Sequence, residues 1–252
     1  MIISMVKGID VSHWQGTIDW KKVKEDGVKF AILKAGGSDN GFYTDGMYSR
    51  NYEACKDNHI PVGIYYFLRD KFYINPLAEA AHIIELIRSK TFELPVFIDF
   101  EPSIVYSKAE NTKALNHIIC ALDLMDVTPA VGIYASDISG FQNSMNLYGL
   151  TPCVKWVARY GKQPSCVTDW QIWQMSGSGT CPGINGAVDI DYMQDEYYEK
   201  MVGPVDNIIR NVAMDVLAGK YGNGPARKAS LEAAGYNYNE VQAEVNKILR
   251  GE

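Results

Sequence analysis

Short apolar runs alternate with amphipathic segments along the first half of the chain, and this alternation is the feature that most constrains its fold. Within residues 76–89, for example, apolar side chains recur at helical spacing, whereas the runs on either side are typical of buried strands. Strands and helices in this rhythm indicate βα units, which assemble into a parallel sheet. The predicted strands are residues 7–13, 28–35, 61–68, 94–101 and 130–135, and the predicted helices are residues 18–26, 48–58, 76–89 and 108–125.

The rhythm changes after Gly149. Three further strands are predicted at residues 154–160, 170–175 and 187–192. The connections between them are shorter than the roughly dozen residues that a crossover helix needs. The total of eight strands suits the closure of a small barrel. The predicted fold class is therefore α/β, an irregular TIM-like barrel of five βα units plus three β-strands.

A small helical unit is predicted after the barrel. Apolar residues return at helical spacing from Asp206, and the turn YGNGP at residues 221–225 separates this helix from a second one that Gly235 ends. A third helix is predicted at residues 238–250. The predicted domains are a barrel at residues 1–200, a linker at residues 201–205 and a three-helix bundle at residues 206–252.

The predicted strand at residues 94–101, LPVFIDFE, ends in two acids. Side chains alternate along a strand, so Asp99 and Glu101 share one face while Ile98 and Phe100 point to the other. The strand rise places the two acidic Cα atoms roughly 6.5 to 7 Å apart. Two carboxylates are therefore expected to meet at one point of the barrel.

Other polar and aromatic residues are expected on the same rim, because parallel barrels carry their chemistry at the carboxyl ends of the strands. Asp10 closes the first strand, and Asp189 is predicted to lie at the end of the eighth. Aromatic rings stack on sugar faces and carboxylates bond sugar hydroxyls, so this rim is typical of a carbohydrate cleft. The residues predicted to bind substrate are Tyr65, Tyr134, Trp156, Trp173 and Gln174. His13 is expected to be a hydrogen-bonding partner near Asp10 rather than a base.

Composition narrows the classes of partner. The net charge of −6 without a basic stripe argues against nucleic acid as the main partner. No run reaches the roughly 18 to 20 apolar residues of a membrane span, so membrane insertion is not expected. The opening MIISMVKGID is too short for a signal peptide and predicts synthesis in the cytoplasm. The five cysteines lack the CxxC spacing of zinc or redox sites, and no cofactor is predicted. Their thiols are expected to be reduced, because synthesis in the cytoplasm is predicted. The oligomeric state stays open.

Several motifs together resemble the glycoside hydrolase family 25 lysozymes, muramidases common among phage endolysins and bacterial autolysins. The motifs are GIDVSHWQG at residues 8–16, the Asp99 and Glu101 pair, GIYYF at 63–67, GIY at 132–134, KWVARY at 155–160, IWQ at 172–174 and VDID at 188–191. The resemblance covers about residues 5–197. It implies the same irregular barrel, and cleavage of the β-1,4 bond between N-acetylmuramic acid and N-acetylglucosamine in peptidoglycan.

The resemblance also implies roles for the four acids. Glu101 corresponds to the general acid/base, Asp99 to the carboxylate that assists it by orienting the substrate's 2-acetamido group, and Asp10 and Asp189 to supporting acids. A glycosidic oxygen leaves poorly unless protonated, and the oxocarbenium-like carbon needs negative charge nearby. Because three carboxylates surround Glu101, its pKa is expected to be raised, whereas Asp99 is expected to stay ionised.

The sequence departs from the family near strands two and three. Lys34 is followed by Ala35 and two glycines where members often have KATEG, and Tyr66 stands where members often have His. This part of the rim is therefore expected to bind a different part of the glycan or peptide.

The tail has a resemblance of its own. Residues 215–249 are similar to the cell-wall-binding repeat of certain streptococcal-phage lysozymes, with Tyr221, Asn223 and Arg227 as the predicted wall contacts. A single repeat that holds the enzyme on peptidoglycan would raise the local substrate concentration. Without a leader, such a lysin is expected to reach the wall after release during phage lysis.

Three alternatives stay open at the level of sequence. A chitinase-like glycosidase would use the same two acids on another polymer. A non-catalytic wall-binding protein would retain the barrel without the activity. The four acids Asp10, Asp99, Glu101 and Asp189 could also ligate calcium.

Overall fold

The computed structural model describes residues 4–68, 75–101, 106–126, 129–203 and 205–251, without the side chains of residues 205–207. Within this part of the chain, eight strands close into a barrel, helices cover its outer face, and a helical tail follows. The strands are β1 Met5–Val11, β2 Phe30–Gly37, the short β3 Tyr43–Thr44, β4 Val62–Phe67, β5 Val96–Asp99, β6 Val131–Ser136, β7 Val154–Ala158, β8 Ile172–Gly179 and β9 Val188–Gln194. The helices are α1 Trp20–Glu25, α2 Tyr48–Asp57, α3 Pro76–Ile87, α4 Lys108–Met125, α5 Asp195–Val202, α6 Val205–Leu217, α7 Pro225–Ala233 and α8 Tyr238–Arg250.

The barrel closes through the pairing of β1 with β2 on one side and with β9 on the other. β3 pairs only with β2 and lies outside the closed ring. The barrel strands other than β9 run parallel to one another, whereas β9 runs antiparallel to its two neighbours, β8 and β1. The predicted fold class, an irregular α/β barrel, is confirmed.

Local capping fixes where the longer helices begin. The hydroxyl of Ser107 accepts from the backbone N–H of Glu110, and the carboxylate of Glu110 accepts from the backbone N–H of Ser107. This reciprocal pair caps α4, which starts at Lys108 as predicted. At the start of α3, the Asn75 side chain accepts from the backbone N–H of Ala78, and Pro76 occupies the first turn. Helix α5 was missed by the sequence analysis, because it lacks a side-chain cap and buries only Tyr198.

Two apolar layers hold the barrel. The inner layer fills the barrel, and the outer layer lies between the strands and the helices. On β5, Phe97 belongs to the inner layer, whereas Ile98 and the following Phe100 belong to the outer one. Asp99 has the same parity as Phe97, so its side chain faces the barrel interior. The buried residues of the inner layer are Phe30, Ile32, Leu94, Phe97, Tyr134, Val154, Trp156, Ile172, Met193 and Tyr198.

The tail helices α6 to α8 pack around a core of their own, which includes Val212, Leu231 and Val245. The tail also contacts the barrel. Lys24 donates from Nζ to the carbonyl oxygens of Ala234, at 2.9 Å, and Asn58, at 2.7 Å.

The same amine lies 3.7 Å from the centre of the Tyr236 ring, and the hydroxyl of Tyr221 lies 2.5 Å from His59 Nε2. Lys24 and His59 precede β2 and β4, so the tail meets the barrel at the amino ends of these strands.

Two further observations concern the described residues as a whole. None of their helices combines the length and apolar character that crossing a bilayer requires. All five cysteines lie within the described ranges and are free thiols, with Cys55 buried and Cys120 exposed.

One buried carboxylate organises the loops beside the rim. Asp137 follows β6, and its oxygens accept from the backbone N–H groups of Ser165, Cys166 and Val167 at 3.0 to 3.2 Å. Arg159 adds a bond at 2.9 Å. Burial raises the pKa of Asp137, but these hydrogen bonds outweigh burial and leave the pKa below its usual value.

Replacing Asp137 by alanine is therefore expected to lower the free energy of unfolding by about 2 to 3 kcal/mol, because three backbone donors lose their acceptor. A depressed pKa stabilises the fold above the unfolded-state value of about 4, so the loss should be full near neutral pH and shrink as acid protonates the native carboxylate. Denaturant unfolding of Asp137→Ala against pH measures both effects. The control is Asp169→Ala, which removes one exposed partner of Lys155 and should change stability by less than about 0.5 kcal/mol. Equal losses in the two variants would contradict the role of Asp137.

Candidate functional site

An acidic cavity of about 180 Å³ opens at the carboxyl ends of the parallel strands. It is lined by Asp10, Trp14, Lys34, Tyr65, Phe67, Asp99, Glu101, Tyr134, Trp156, Gln174 and Asp189. All four predicted acids are therefore brought together, with four of the five residues predicted to bind substrate. A larger cavity of about 300 Å³ lies between the amino end of the barrel and the tail, away from these acids.

Asp189 reaches the rim by a different route from the one predicted. It lies at the start of β9, not at its end. Because β9 is antiparallel, its start lies at the same rim as the carboxyl ends of the other strands, and Asp189 pairs in register with Asp10. The position was predicted correctly, but the strand direction was wrong.

Trp173 is not among the residues that line the cavity. On β8, Ile172 packs in the inner layer while Trp173 packs in the outer one. The Trp173 indole donates to the carbonyl oxygen of Arg159 at 2.6 Å. The alternation along the strand therefore gives the cavity to Gln174 and removes Trp173 from it.

Tyr66 is also turned away from the cavity. Its hydroxyl donates to Glu79 on α3 at 2.9 Å, in the outer layer. Tyr66 therefore does not support the expectation that this part of the rim binds differently, and the cavity side chains of β4 are its neighbours Tyr65 and Phe67.

Asp99 and Glu101 differ in their access to water. Asp99 is 5% exposed at the end of β5, whereas Glu101 is exposed at the mouth. Burial, followed by the charge of Glu101, raises the pKa of Asp99 well above its usual value, although Lys34 opposes the shift. Asp99 was expected to stay ionised, and the raised pKa runs against this expectation, because the carboxylate lies at the cavity floor, out of water.

The pKa of Glu101 is raised, as predicted, but mainly for another reason. Loss of water to the cavity walls is the largest cause and the charge of Asp189 adds to it, whereas Lys34 and the nearby Tyr134 hydroxyl lower the pKa. Of the three carboxylates expected to surround Glu101, Asp189 raises its pKa, and Asp99 interacts with it as well, since the charge of Glu101 acts on Asp99.

Lys34 is a cavity residue that the sequence analysis did not identify as part of the site. Its ammonium lies 4.8 Å from the centre of the Phe67 ring and 5.9 Å from that of Tyr65. A signal was present, since Lys34 has the same parity on β2 as Phe30 and Ile32, which fill the barrel interior. A lysine on that face lies among the acids and opposes the rise in their pKa values.

A hydrogen-bonded chain crosses the cavity from β1 to β6. The side-chain amide of Gln174 donates to Asp10 Oδ2 at 2.8 Å, and its carbonyl oxygen accepts from the Tyr134 hydroxyl at 2.8 Å. The Tyr160 hydroxyl lies 3.4 Å from the same oxygen. Burial, followed by the charges of Asp191 and Asp189, raises the pKa of Asp10 well above its usual value.

His13 has a different partner from the one expected. Its Nδ1 lies 2.6 Å from a carboxylate oxygen of Asp45, which also accepts from the backbone N–H of His13 at 3.1 Å. This contact joins the turn after β1 to the segment before α2 and holds Trp14, the most exposed ring of the cavity.

Across the described ranges, no group of three or more His, Cys, Asp or Glu side chains is arranged to hold a metal ion.

The three residues predicted to contact the wall lie together in the tail. Arg227 donates to the carbonyl oxygen of Gly222, to the Asn223 side chain and to Gln242. Tyr221 faces the barrel through His59. Arg227 and Asn223 therefore form one polar cluster at the start of α7, and Tyr221 lies at the boundary with the barrel.

The model for glycosyl hydrolases family 25 matches residues 9–184, and the model for the CW_7 repeat matches residues 210–249. Both matches confirm the resemblances found in the sequence.

The autolytic lysozyme of Clostridium acetobutylicum is 28% identical to this chain over 74% of the chain. The matched part covers 55% of the length of that lysozyme. Lysozyme M1 of Streptomyces globisporus is 32% identical over 74% of this chain and 67% of its own. The crystal structure of the bacterial lysozyme from Streptomyces coelicolor superposes with a TM-score of 0.66 at 27% identity, covering 79% of this chain and 98% of that one.

Replacing Lys34 by glutamine is expected to raise the pKa values of Glu101 and Asp99, because a cation that lowers both is removed. Carboxyl-carbon NMR titration of labelled protein measures both values. Lys22→Gln is the control, since Lys22 forms an exposed pair with Asp19 and should leave the cavity titrations unchanged. Unaltered titrations in Lys34→Gln would show that the lysine does not act on the acids.

Proposed function

The chain belongs to glycosyl hydrolases family 25, and from this membership we propose that it is a lysozyme that cleaves the β-1,4 bond between N-acetylmuramic acid and N-acetylglucosamine in peptidoglycan. The observation that carries the proposal is the pair of acids at the end of β5. Glu101 is exposed at the mouth and Asp99 is buried at the floor of the same cavity.

Glu101 is proposed as the general acid/base. A raised pKa favours the protonated carboxyl that a general acid needs, and exposure lets its proton reach a glycosidic oxygen entering from solvent. Once the leaving group has departed, the carboxylate of Glu101 can take a proton from the water that attacks the sugar carbon.

Asp99 is proposed to assist through the substrate's acetamido group. Its Oδ1 is buried and has no hydrogen-bond partner among the described residues, a state that is costly unless a ligand supplies a donor. An acetamido N–H is such a donor, and a hydrogen bond to Asp99 would direct the acetamido oxygen at the anomeric carbon. The reactive form then carries the proton on Glu101 and the negative charge on Asp99. Lys34 opposes the burial that raises the pKa of Asp99, and a hydrogen bond from the acetamido N–H would stabilise the Asp99 carboxylate further.

The remaining cavity residues are proposed to bind and support the sugar. Tyr65 and Tyr134 present rings and hydroxyls, and Gln174 fixes the Tyr134 hydroxyl. Trp156 is 1% exposed, and the centre of its ring lies 4.5 Å from that of the Tyr134 ring. It therefore supports this wall from behind. Asp10 and Asp189 are the supporting acids of the opposite wall.

The tail is proposed to anchor the enzyme on the bacterial cell wall. Its match to the CW_7 repeat supports this role, with Tyr221, Asn223 and Arg227 as contacts. The proposed units are the catalytic barrel at residues 1–200, the linker at 201–205 and the wall-binding module at 206–252. Anchoring would raise the concentration of glycan strands near the cavity.

Substituting Glu101 by glutamine is expected to reduce the release of reducing ends from purified peptidoglycan by about 10²- to 10⁴-fold, because glutamine cannot donate the proton. Glu25→Gln, an exposed residue of α1, is the control and should retain full activity. Thermal unfolding checks that both variants fold. Persistent activity in Glu101→Gln would refute the assignment.

Mass spectrometry of the fragments tests the bond. New reducing ends on N-acetylmuramic acid identify a muramidase, whereas cleavage of chitin in preference to peptidoglycan would identify the chitinase-like alternative.

Wall binding is tested in the inactive Glu101→Gln background, so that the wall stays intact. Asn223→Ala and Tyr221→Phe are expected to weaken co-sedimentation with purified walls. Lys247→Ala is the control, because Lys247 lies on α8 and pairs with Glu244. Equal sedimentation of all variants would remove Tyr221 and Asn223 from the proposed contacts.

A further inference from the structure

Asp191 is a fully buried carboxylate to which the proposed reaction assigns no part. One of its oxygens accepts from the Trp156 indole N–H at 2.8 Å. The other has no hydrogen-bond partner within the described residues. A buried carboxylate with one open oxygen is costly, so its neighbours should show what compensates for it.

The register of β9 places Asp191 one layer below the cavity floor. Asp189 lies opposite Asp10 on β1, and Asp191 lies opposite Gly8. Residues two apart share a face, so Asp189 and Asp191 both point into the barrel. On its other side, Asp191 lies opposite Gln174 of β8.

The groups around Asp191 are acidic or neutral. β1 contributes Asp10, β9 contributes Asp189, β7 contributes the Trp156 indole, and Tyr160 follows β7. Within the described residues, none of the charged groups that act most strongly on Asp191 or Asp10 is a cation. Two carboxylates that interact closely out of water and without a cation cannot both ionise.

We propose that Asp191 is a positioning residue that shares one proton with Asp10 and so fixes both Trp156 and the hydrogen-bonded chain through Gln174 to Tyr134. Burial raises the pKa of Asp191 to about 8, and burial with the charges of Asp191 and Asp189 raises that of Asp10. Both directions agree with a proton held between the two carboxyls at neutral pH.

The hydrogen bonds already present locate this proton. Asp10 Oδ2 accepts from the Gln174 amide, so the proton of Asp10 belongs on its other oxygen, Oδ1. From there it can be donated to Asp191 or to Asp189. The orientation of the Gln174 amide, with its oxygen toward Tyr134, depends on Asp10 being an acceptor at Oδ2.

The consequence for the proposed reaction passes through other residues. The Tyr134 hydroxyl contacts Gln174 and also acts on Glu101, and the Trp156 ring packs against those of Tyr134 and Tyr65. Asp191 therefore does not touch substrate. It holds the wall beside the proposed acid.

Asp191→Asn tests the shared proton without substrate. Asparagine keeps an oxygen for the Trp156 indole and replaces the open oxygen by an amide donor to Asp10. The probe is the indole N–H resonance of Trp156 in ¹⁵N-labelled protein, one of five tryptophan indole signals, assigned by its loss in Trp156→Phe. In the parent this resonance should shift with pH as the pair ionises, and in Asp191→Asn the shift should disappear. The exposed Asp169→Asn should behave as the parent does.

A kinetic readout follows the positioning role, which rests on the proposed function. Asp191→Asn should lower kcat on peptidoglycan by about 10- to 100-fold through displacement of the wall and should alter the pH profile. Trp156→Phe, which keeps both carboxyls, should lower kcat but leave the pH profile in place.

A Trp156 signal that titrates identically in the parent and Asp191→Asn, or that does not titrate in the parent, would overturn the shared proton. Unchanged kcat and pH profile in Asp191→Asn would overturn the positioning role. Because the NMR experiment uses no substrate, it stands whether or not the chain cleaves peptidoglycan.

Discussion

The alternation of side chains along the barrel strands decides which residues can take part in chemistry at the rim. Each strand offers one face to the barrel interior and the other to the covering helices. On β5 this gives Asp99 to the cavity and Ile98 to the outer layer, and on β8 it gives Gln174 to the cavity and Trp173 to the outer layer. The site is therefore made of the residues of one parity, one strand after another, above an apolar interior built from residues of the same parity.

This constraint also explains the electrostatics. The acids of the cavity occupy inward-facing positions at the ends of strands whose other inward-facing residues are apolar. Most of these acids therefore lose contact with water when the barrel forms. The wall made by β2 and β5 includes Lys34, which opposes the rise in pKa of Asp99 and Glu101. The wall made by β1 and β9 has no comparable cation among its described residues, and there burial raises the pKa values of Asp10 and Asp191. A lysine therefore opposes the protonation of the acids on one wall, whereas no described cation does so on the other.

Much of this was predictable from the sequence, because periodicity and strand ends are local properties. The eight barrel strands, the start of α4 and the convergence of the four acids followed from patterns of a few residues each. Two of the errors concern properties that depend on neighbours distant in sequence. The direction of β9 depends on its pairing with β1 and β8, and the protonation of Asp99 depends on how deeply the closed barrel buries it. Trp173 and Lys34 are different, since their parity could have been read from the sequence beside Ile172 and Ile32.

The contact of the tail with the amino end of the barrel has a geometric consequence. The cavity opens at the opposite end, and β4 alone, with six residues, places about 20 Å of strand between the two ends. If the tail binds the wall as proposed, the site of attachment and the site of hydrolysis lie on separate parts of the peptidoglycan. Hydrolysis at the cavity then takes place at least this far from the point of attachment, so the cut is made away from the part of the wall that the tail holds.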